Sequence, residues 1–546
     1  MRQLFLSGFV FASVLATAQR PTWQHPPKLV VGVVVDQMRA DYIYRFWDNY
    51  GEGGFKRLVN DGAFCRDAHY PYGTTDTAPG HASIYTGGVP ADHGIVANDR
   101  YVRELGRTAY CVEDTLAKTI GTNAAAPGRS PRPLLASTLA DELERISQDR
   151  SKTISISLKD RSAILPGGRT GDAAYWLLDT TGFVTSDWYM GALPQWLTAF
   201  NSTHTIGSYM TGTWDLLLPA ARYHNTDAAH NAYERLIPGI ATAELPIDLA
   251  ALYRTPNVAE AFLHLPAGNT ILTDLAIAAI TNEKLGADAD SDLLAISYSA
   301  TDKLGHRTGP MSLELEDMYI RLDREIARLL NTLDAQVGVG AYTLFLTADH
   351  GVSDVPAYRA MRKASAGYLD LRAVRATVEE NLQQAYGPGA WVSYVDDDKL
   401  FLDRTLIRSK GLLPEEVQLK AAMVARDVPG MLNVFTATQL EAVGEKAGHA
   451  ALLARGHHIH RGADLYFVTM PSYEPSFSGN PGKGADHGGT WTYDTHVPVL
   501  FFGEGIASGE LLRRVYVVDI VPTLTMILGC ALPEAAMGVA LPEVLR

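Results

Sequence analysis

The 546 residues are 47% hydrophobic and 20% charged, a balance that excludes both an intrinsically disordered chain and a bundle of membrane helices. Set against 61 acidic residues, the 47 basic ones leave a charge of −14, which argues against a nucleic-acid or anionic-membrane surface built from basic stripes. An anionic substrate must then be met by a few placed Lys or Arg side chains, or by metal ions.

The N-terminus reads as an export signal. Arg2 precedes an apolar run over residues 4–15 and then Ala16-Thr-Ala18, the basic, apolar and small-residue parts of a cleavable secretory peptide. The run is too short to span a bilayer, and no other stretch approaches 18 uninterrupted apolar residues. A soluble protein, periplasmic or secreted and cut after Ala18, is expected. Three cysteines, Cys65, Cys111 and Cys530, are too few for a disulfide framework. The expected bridge joins Cys65 to Cys111, which share the N-terminal segment.

Residues 29–36 (LVVGVVVD) are a β-branched run ending in a carboxylate, the pattern of a strand buried on both faces of a parallel sheet. Ligands of open α/β sheets bind at strand carboxyl ends, where Asp36 stands. A helix is expected over 55–60, closed by Asp61-Gly62, and a strand over 63–70. Residues 73–87 form a loop that carries Thr77 to the start of a short helix, with Pro79 and Gly80 where helices begin. A hydroxyl there lies beside unpaired backbone amides that favour an anion, but it also suits a plain helix cap. A threonine is a poor nucleophile unless a base or metal activates it.

An amphipathic helix follows over 133–145, then a strand over 152–158 that ends in Lys159-Asp-Arg161. From 187 to 269 the pattern changes to aromatic and Pro-containing segments bearing Trp188, Trp196, Tyr209, Trp214 and Tyr223. They read as an insertion over the active edge of the sheet, with the aromatics as its core rather than a stacking shelf. Alternation resumes with a helix over 270–284, a strand over 293–298, a long helix over 312–333 and a strand over 342–347 that ends in Ala348-Asp-His-Gly351. A second insertion is expected over 357–480, and the sheet closes with a strand over 496–503 and the segment 515–529. The fold class is therefore α/β, with a doubly wound, mostly parallel sheet and helices on both faces. The core occupies 19–186, 270–356 and 481–546; the insertions are 187–269 and 357–480.

Just beyond the strand ends stand Asp36, Thr77, Asp302 with His306, Asp349 with His350, and His487. Each alone is weak: a strand-end Asp is often a cap, and Asp and His four apart are a common surface pair. Together, at successive strand ends, they are hard to explain as independent caps. Asp, His and an alkoxide suit Zn²⁺ at roughly 2.0–2.2 Å, and these side chains exceed the needs of one ion and suit two. Zinc lowers the pKa of a bound hydroxyl and stabilises a leaving alkoxide, while Lys159 and Arg161 supply charge-assisted donors to phosphoryl oxygens. A monoester dianion has one more charged oxygen than a diester, and this pair meets it.

The same residues carry a family resemblance. Its pieces are Val35-Asp-Gln-Met-Arg-Ala-Asp-Tyr42, Gly51-Glu-Gly-Gly-Phe-Lys-Arg57, Thr77-Ala-x-Gly-His81, His93-Gly-Ile-x-x-Asn-Asp99 and Leu158-Lys-Asp-Arg161. Further pieces are Thr301-Asp-x-x-Gly-His306, Glu316-Asp-Met-Tyr-Ile-Arg-Leu-Asp323, Thr347-Ala-Asp-His-Gly351 and Asp486-His-Gly488. The chain resembles the alkaline phosphatase superfamily, most closely the phosphate-irrepressible alkaline phosphatases of the periplasm, over nearly all of its length. The resemblance implies two Zn²⁺ ions, one on Asp36, Asp349, His350 and the Thr77 oxygen, the other on Asp302, His306 and His487. It further implies Thr77 as a nucleophile passing through phosphothreonine, with Asn98, Lys159 and Arg161 binding phosphate oxygens. The expected reaction is hydrolysis of small-molecule phosphate monoesters, with inorganic phosphate as product and inhibitor, by a monomer without nucleic-acid or membrane partners. Pro79 and Arg100 depart from the family pattern, which has an apolar residue and a tryptophan there.

A nucleotide pyrophosphatase/phosphodiesterase on the same fold is the alternative, and Lys159 and Arg161 speak against it. A sulfatase would need a modifiable Cys or Ser, which Thr77-Ala-Pro-Gly-His81 lacks. A non-catalytic binding protein would be expected to lack some ligands, and none is missing. His457-His-Ile-His460 reads as a structural or solvated loop, His81 and His93 as packing or supporting residues, and His496 as no ligand.

Overall fold

The computed structural model describes residues 26–227, 232–241, 244–442, 447–479 and 481–546. The expected signal peptide, 1–18, lies outside the described residues. Ten strands make the main sheet: β1 (Leu29–Val35), β2 (Ala63–His69), β3 (Thr119–Ile120), β4 (Thr153–Ser157), β5 (Ala173–Leu178), β6 (Gly182–Ser186), β7 (Asp292–Tyr298), β8 (Tyr342–Thr347), β9 (His496–Gly503) and β10 (Gly509–Tyr516). They lie in the order β10-β2-β9-β8-β1-β7-β4-β5-β6-β3. The run β8-β1-β7-β4-β5 is parallel, and every residue of β1, β7 and β8 is buried, as the apolar run of β1 and the largely apolar sequences of β7 and β8 require. Strand β9 is antiparallel to both neighbours, and β6 is antiparallel to β5 and β3.

The helices that matter for the site are α1 (Thr77–Thr86), α2 (Leu139–Ser147), α3 (Asp160–Gly167), α4 (Pro266–Glu283), α5 (Ala300–Thr308) and α6 (Leu313–Leu333). Helix α2 begins six residues later than the pattern over 133–145 implies. Thr138 stops it there: its hydroxyl accepts from the Asp141 amide, and Asp141 accepts in return from the Thr138 amide. The closing segment 515–529 resolves into the end of β10 and a helix, Ile520–Leu528, that Gly529 ends in a left-handed conformation.

The segment 187–269 packs its apolar side chains, among them Leu197, Phe200, Trp214 and Phe262, into the same core as β1, β7 and β8. Trp214 also donates its indole N–H to Asp317 on α6 at 2.8 Å. The segment 357–480 builds a core of its own from Val374, Val378, Trp391, Leu402, Ile407 and Phe467, under a separate four-stranded sheet.

The expected Cys65–Cys111 bridge is not formed, and all three thiols are free. Cys65 faces the main core from β2, whereas Cys111 packs with Ala78, Ala82 and Ile164 in a different cluster. Shared sequence neighbourhood did not bring the two sulfurs onto one face.

Candidate active site

Register assembles the site. Val35 pairs with Tyr298, Val34 with Thr347 and Ser297 with Ser157, so β1, β7, β8 and β4 end level with one another. Asp36 leaves β1, Asp349 and His350 follow β8, α5 after β7 carries Asp302 and His306, and Lys159 and Arg161 follow β4 at the start of α3. Thr77 is the first residue of α1, and its side chain does not cap the helix. Pro79 stands at the third helical position, where the missing N–H is one of four that no helix can bond internally. Gly80 lets α1 lie against the backbone after β8: a Cβ there would come 2.3 Å from the Asp349 carbonyl oxygen.

The ligand-type atoms converge in two overlapping groups, Asp36 with Asp302 and His350, and Asp302 with His306 and His487, each within 4.8 Å. Asp349 adds to the first, its Oδ2 lying 3.6 Å from His350 Nε2, which is itself 3.6 Å from Asp36 Oδ1. These three atoms are buried and have no hydrogen-bond partner. An unpartnered buried polar group costs about 1–3 kcal/mol, so three facing one another call for a cation. In the second group His306 Nε2 and His487 Nε2 lie 3.2 and 3.8 Å from Asp302 Oδ1.

All three imidazoles are oriented alike. The Nδ1 atoms of His350, His306 and His487 meet the carbonyl oxygens of Gly351, Ala485 and Thr75 at 2.9, 2.9 and 2.8 Å. A carbonyl only accepts, so Nδ1 carries the proton and Nε2 turns its lone pair inward, as a metal-ligating histidine must. The residues fit divalent metal ions.

Charge in the site is arranged around Lys159. Its Nζ lies 2.6 Å from both Asp36 Oδ2 and Asp302 Oδ2, and 3.5 Å from Thr77 Oγ1. Burial opposes the Asp302 charge, but Lys159 and His306 outweigh it and hold that carboxyl well below the usual range. Burial and the neighbouring Asp36 push Asp349 the other way. Asp302 overcomes burial to raise His306 to about 9, a proton the residue must release to bind metal. Arg161 Nη2 lies 3.5 Å from Thr77 Oγ1, while its Nη1 donates to the Tyr110 hydroxyl at 3.0 Å. Tyr110 donates in turn to Asp160 at 2.5 Å. Asn98 accepts from the Ala78 amide at 2.9 Å through Oδ1, which leaves its NH₂ as the donor end.

All ten residues singled out from the sequence are thus in one place, and the structure adds others. Gln37, at φ +66°, donates its side-chain amide to Asp302 Oδ1 at 2.8 Å and its backbone N–H to Asp349 Oδ1 at 3.1 Å. Gly305 makes room for it, since a Cβ there would stand 2.0 Å from Gln37 Oε1. Only the position of Gln37 next to Asp36 pointed to it. His81 bonds the Thr77 carbonyl and Ser297 Oγ, each at 2.8 Å, and supports the first turn of α1. His457 bonds Tyr466 inside the second insertion, and His496 bonds the Arg66 carbonyl. Asp67, His69 and His496 also cluster, but the Arg514 guanidinium already occupies Asp67 and His69.

The profile of the type I phosphodiesterase / nucleotide pyrophosphatase family matches residues 30–494. Alkaline phosphatase PhoV of Synechococcus elongatus is 38% identical over 525 residues, 95% of this chain and 93% of that one. Alkaline phosphatase PafA of Elizabethkingia meningoseptica is 34% identical over 544 residues, 99% of this chain and 98% of that one. The PafA crystal structure superposes with a TM-score of 0.90 over 95% of this chain and 99% of that one. A Myroides odoratus protein named a calcium-transporting ATPase is 37% identical over 524 residues, 95% of each chain.

Proposed function

The chain belongs to the type I phosphodiesterase / nucleotide pyrophosphatase family within the alkaline phosphatase superfamily, and is PafA/PhoV-like; we propose that it is a metal-dependent hydrolase of phosphate monoesters that uses Thr77 as nucleophile. One observation carries the reading. Thr77 Oγ1 lies 3.5 Å from both Lys159 Nζ and Arg161 Nη2, on the N-terminal turn of α1, beside three buried unpartnered ligand atoms.

We assign Asp36, Asp349, His350 and Thr77 to one Zn²⁺ and Asp302, His306 and His487 to a second. Bound there, the ions supply Lewis-acid charge that lowers the pKa of the threonine hydroxyl and stabilises the departing alkoxide. The chain's own residues do the rest. Arg161, held by Tyr110, and Lys159, held by Asp36 and Asp302, bind two phosphoryl oxygens, and the Asn98 amide donates to another. Thr77 Oγ1 attacks phosphorus as the ester P–O bond breaks, so the alcohol leaves and phosphothreonine forms. Water then cleaves the new bond, releasing inorganic phosphate and restoring the hydroxyl. Buried side chains held by neighbours keep these donors aimed at developing charge without reorganisation.

The phosphodiesterase reading is the weaker one, because Lys159 and Arg161 meet the oxygen that a diester would have esterified. We further assign residues 1–18 to an export signal, on Arg2, the apolar run 4–15 and Ala16-Thr-Ala18, with periplasmic or secreted action as a monomer that phosphate inhibits. Among the described residues no helix is long and apolar enough to cross a membrane.

The test is Thr77→Ala. Turnover of an aryl phosphate should fall by about 10³-fold or more while both metals stay bound. Undiminished phosphate release would sink the nucleophile assignment.

A further inference from the structure

Next to His487 the loops enclose a cavity of about 60 Å³ that the reaction above leaves unused. Its wall carries Asp76, Asp397, Glu474, Asp486 and Asp494, together with the rings of Tyr473 and Trp491. The lysine in the wall, Lys399, is already committed, with Nζ 2.6 Å from Asp398 Oδ1. The cavity is therefore lined mainly by acidic side chains, crowded without a matching cation, and it shares His487 with the site built to bind a phosphoryl group.

The carboxylates are not mere surface decoration. Asp494 is 2% exposed; its Oδ2 accepts from the Gly489 amide at 2.9 Å, and its Oδ1 has no partner. Glu474 is also buried, with Oε1 accepting from Ser353 Oγ at 2.5 Å and from the Asp486 amide at 2.9 Å. Burial and the Asp486 charge push Glu474 up to about 8. A buried, unmatched acceptor in a wall of like charges asks for a cationic guest.

The form of that guest follows from spacing and lining. A bare divalent ion needs several oxygens at roughly 2.3–2.6 Å, and among the described residues these carboxylates do not form a group within 4.8 Å of one another. Separated carboxylates with aromatic walls suit an organic ammonium, which is larger and is attracted to ring faces. About 60 Å³ exceeds the roughly 10–15 Å³ that one water needs, so a small ammonium fits. Its position fits too: His487 belongs both to this wall and to the ligand set of the second ion, the one that Thr77 does not share and that is therefore free to meet the departing oxygen.

We propose that this cavity is a leaving-group subsite for cations, and that the enzyme favours phosphate monoesters of amino alcohols over those of neutral or anionic alcohols. The proposal rests on the phosphatase reading above. Aminoethyl, hydroxyethyl and carboxymethyl phosphate share the phosphoryl group and differ in the charge that would reach the cavity. The expected order of kcat/KM is aminoethyl, then hydroxyethyl, then carboxymethyl, with roughly 3–30-fold between the first two.

Asp397→Asn, at the exposed tip of a hairpin, should shrink that gap by lowering kcat/KM more on the aminoethyl than on the hydroxyethyl ester. Tetramethylammonium should bind the wild type in calorimetry and bind Asp397→Asn more weakly. Equal kcat/KM for the aminoethyl and hydroxyethyl esters would overturn the subsite, as would a gap that Asp397→Asn does not change. Calcium binding that is lost in Asp397→Asn, with no tetramethylammonium binding, would assign the cavity to a metal and overturn it as well. Hydrolysis of hydroxyethyl phosphate without ammonium preference defeats only this proposal; no hydrolysis of it at all defeats the phosphatase reading itself.

Discussion

The imidazole rings of His350 and His487 stack with centroids 3.5 Å apart and planes 18° apart. Burial holds both below the ordinary histidine range, and burial together with the neighbouring His350 and His306 pushes His487 well below it. Both therefore stay neutral and able to ligate, and each ring fixes the orientation of the other across the two ligand sets.

That contact predicts that the metal sites are coupled. His487→Ala should weaken metal at the Asp36–Asp349–His350 set as well as at its own. Chelator competition should show both ions released more readily, the distant one by about 10-fold or more, the scale of a lost supporting contact. Release of one ion with the other untouched would refute the coupling.

Gln37 acts through the carboxylates it holds. Gln37→Ala removes the donor to Asp302 and should weaken metal binding by about 10–100-fold, with kcat recovering when zinc is supplied in excess. Unchanged zinc dependence would leave Gln37 without a positioning role.

Lys159 and Arg161 are predicted to sort substrates. A charge-assisted bond from either to a phosphoryl oxygen would be worth about 1.5–3 kcal/mol, so alanine at either site should cost roughly 10–150-fold on a monoester. The loss on the matched diester should be smaller. Equal losses on both would defeat the argument that this pair selects dianions.

Glu314, at the start of α6, is buried with neither carboxylate oxygen bonded, and burial with the nearby Glu234 charge pushes it up to about 8. Unfolded, it titrates near 4.5. The folded protein thus holds an extra proton between those values: this stabilisation is full below about 4.5 and is lost as pH rises through 8. Glu314→Gln should gain on the wild type in alkali, on the order of 2–4 kcal/mol, and gain least near pH 4.5. Melting curves whose separation does not change with pH would contradict this.

With three free thiols, two of them buried, a reducing agent should leave the Tm unchanged. Burial pushes the Cys65 thiol up to about 12, so alkylation of the folded protein should be slow there. A drop in Tm on reduction would indicate a bridge.

Period and strand-end chemistry were legible in the sequence. LVVGVVVD announced a central buried strand with a carboxylate at its end, and the same reasoning placed Asp302, Asp349, His350, Lys159 and Arg161 at the carboxyl edge, because alternation and strand direction are local properties. What only the tertiary structure decided depends on contacts between distant segments. Level strand ends, from the pairing of β1 with β7 and β8, turn separate motifs into one site. Gln37 becomes a clamp only because Gly305 leaves it room, and Cys65 and Cys111 stay apart because they face different cores. The segment 187–269 joins the main core, which no local pattern foretold, since its aromatics look alike whether they cover each other or the sheet. Residue chemistry is written along the chain; which atoms are left without partners, and so call for a metal or an ammonium, is set only when those segments meet.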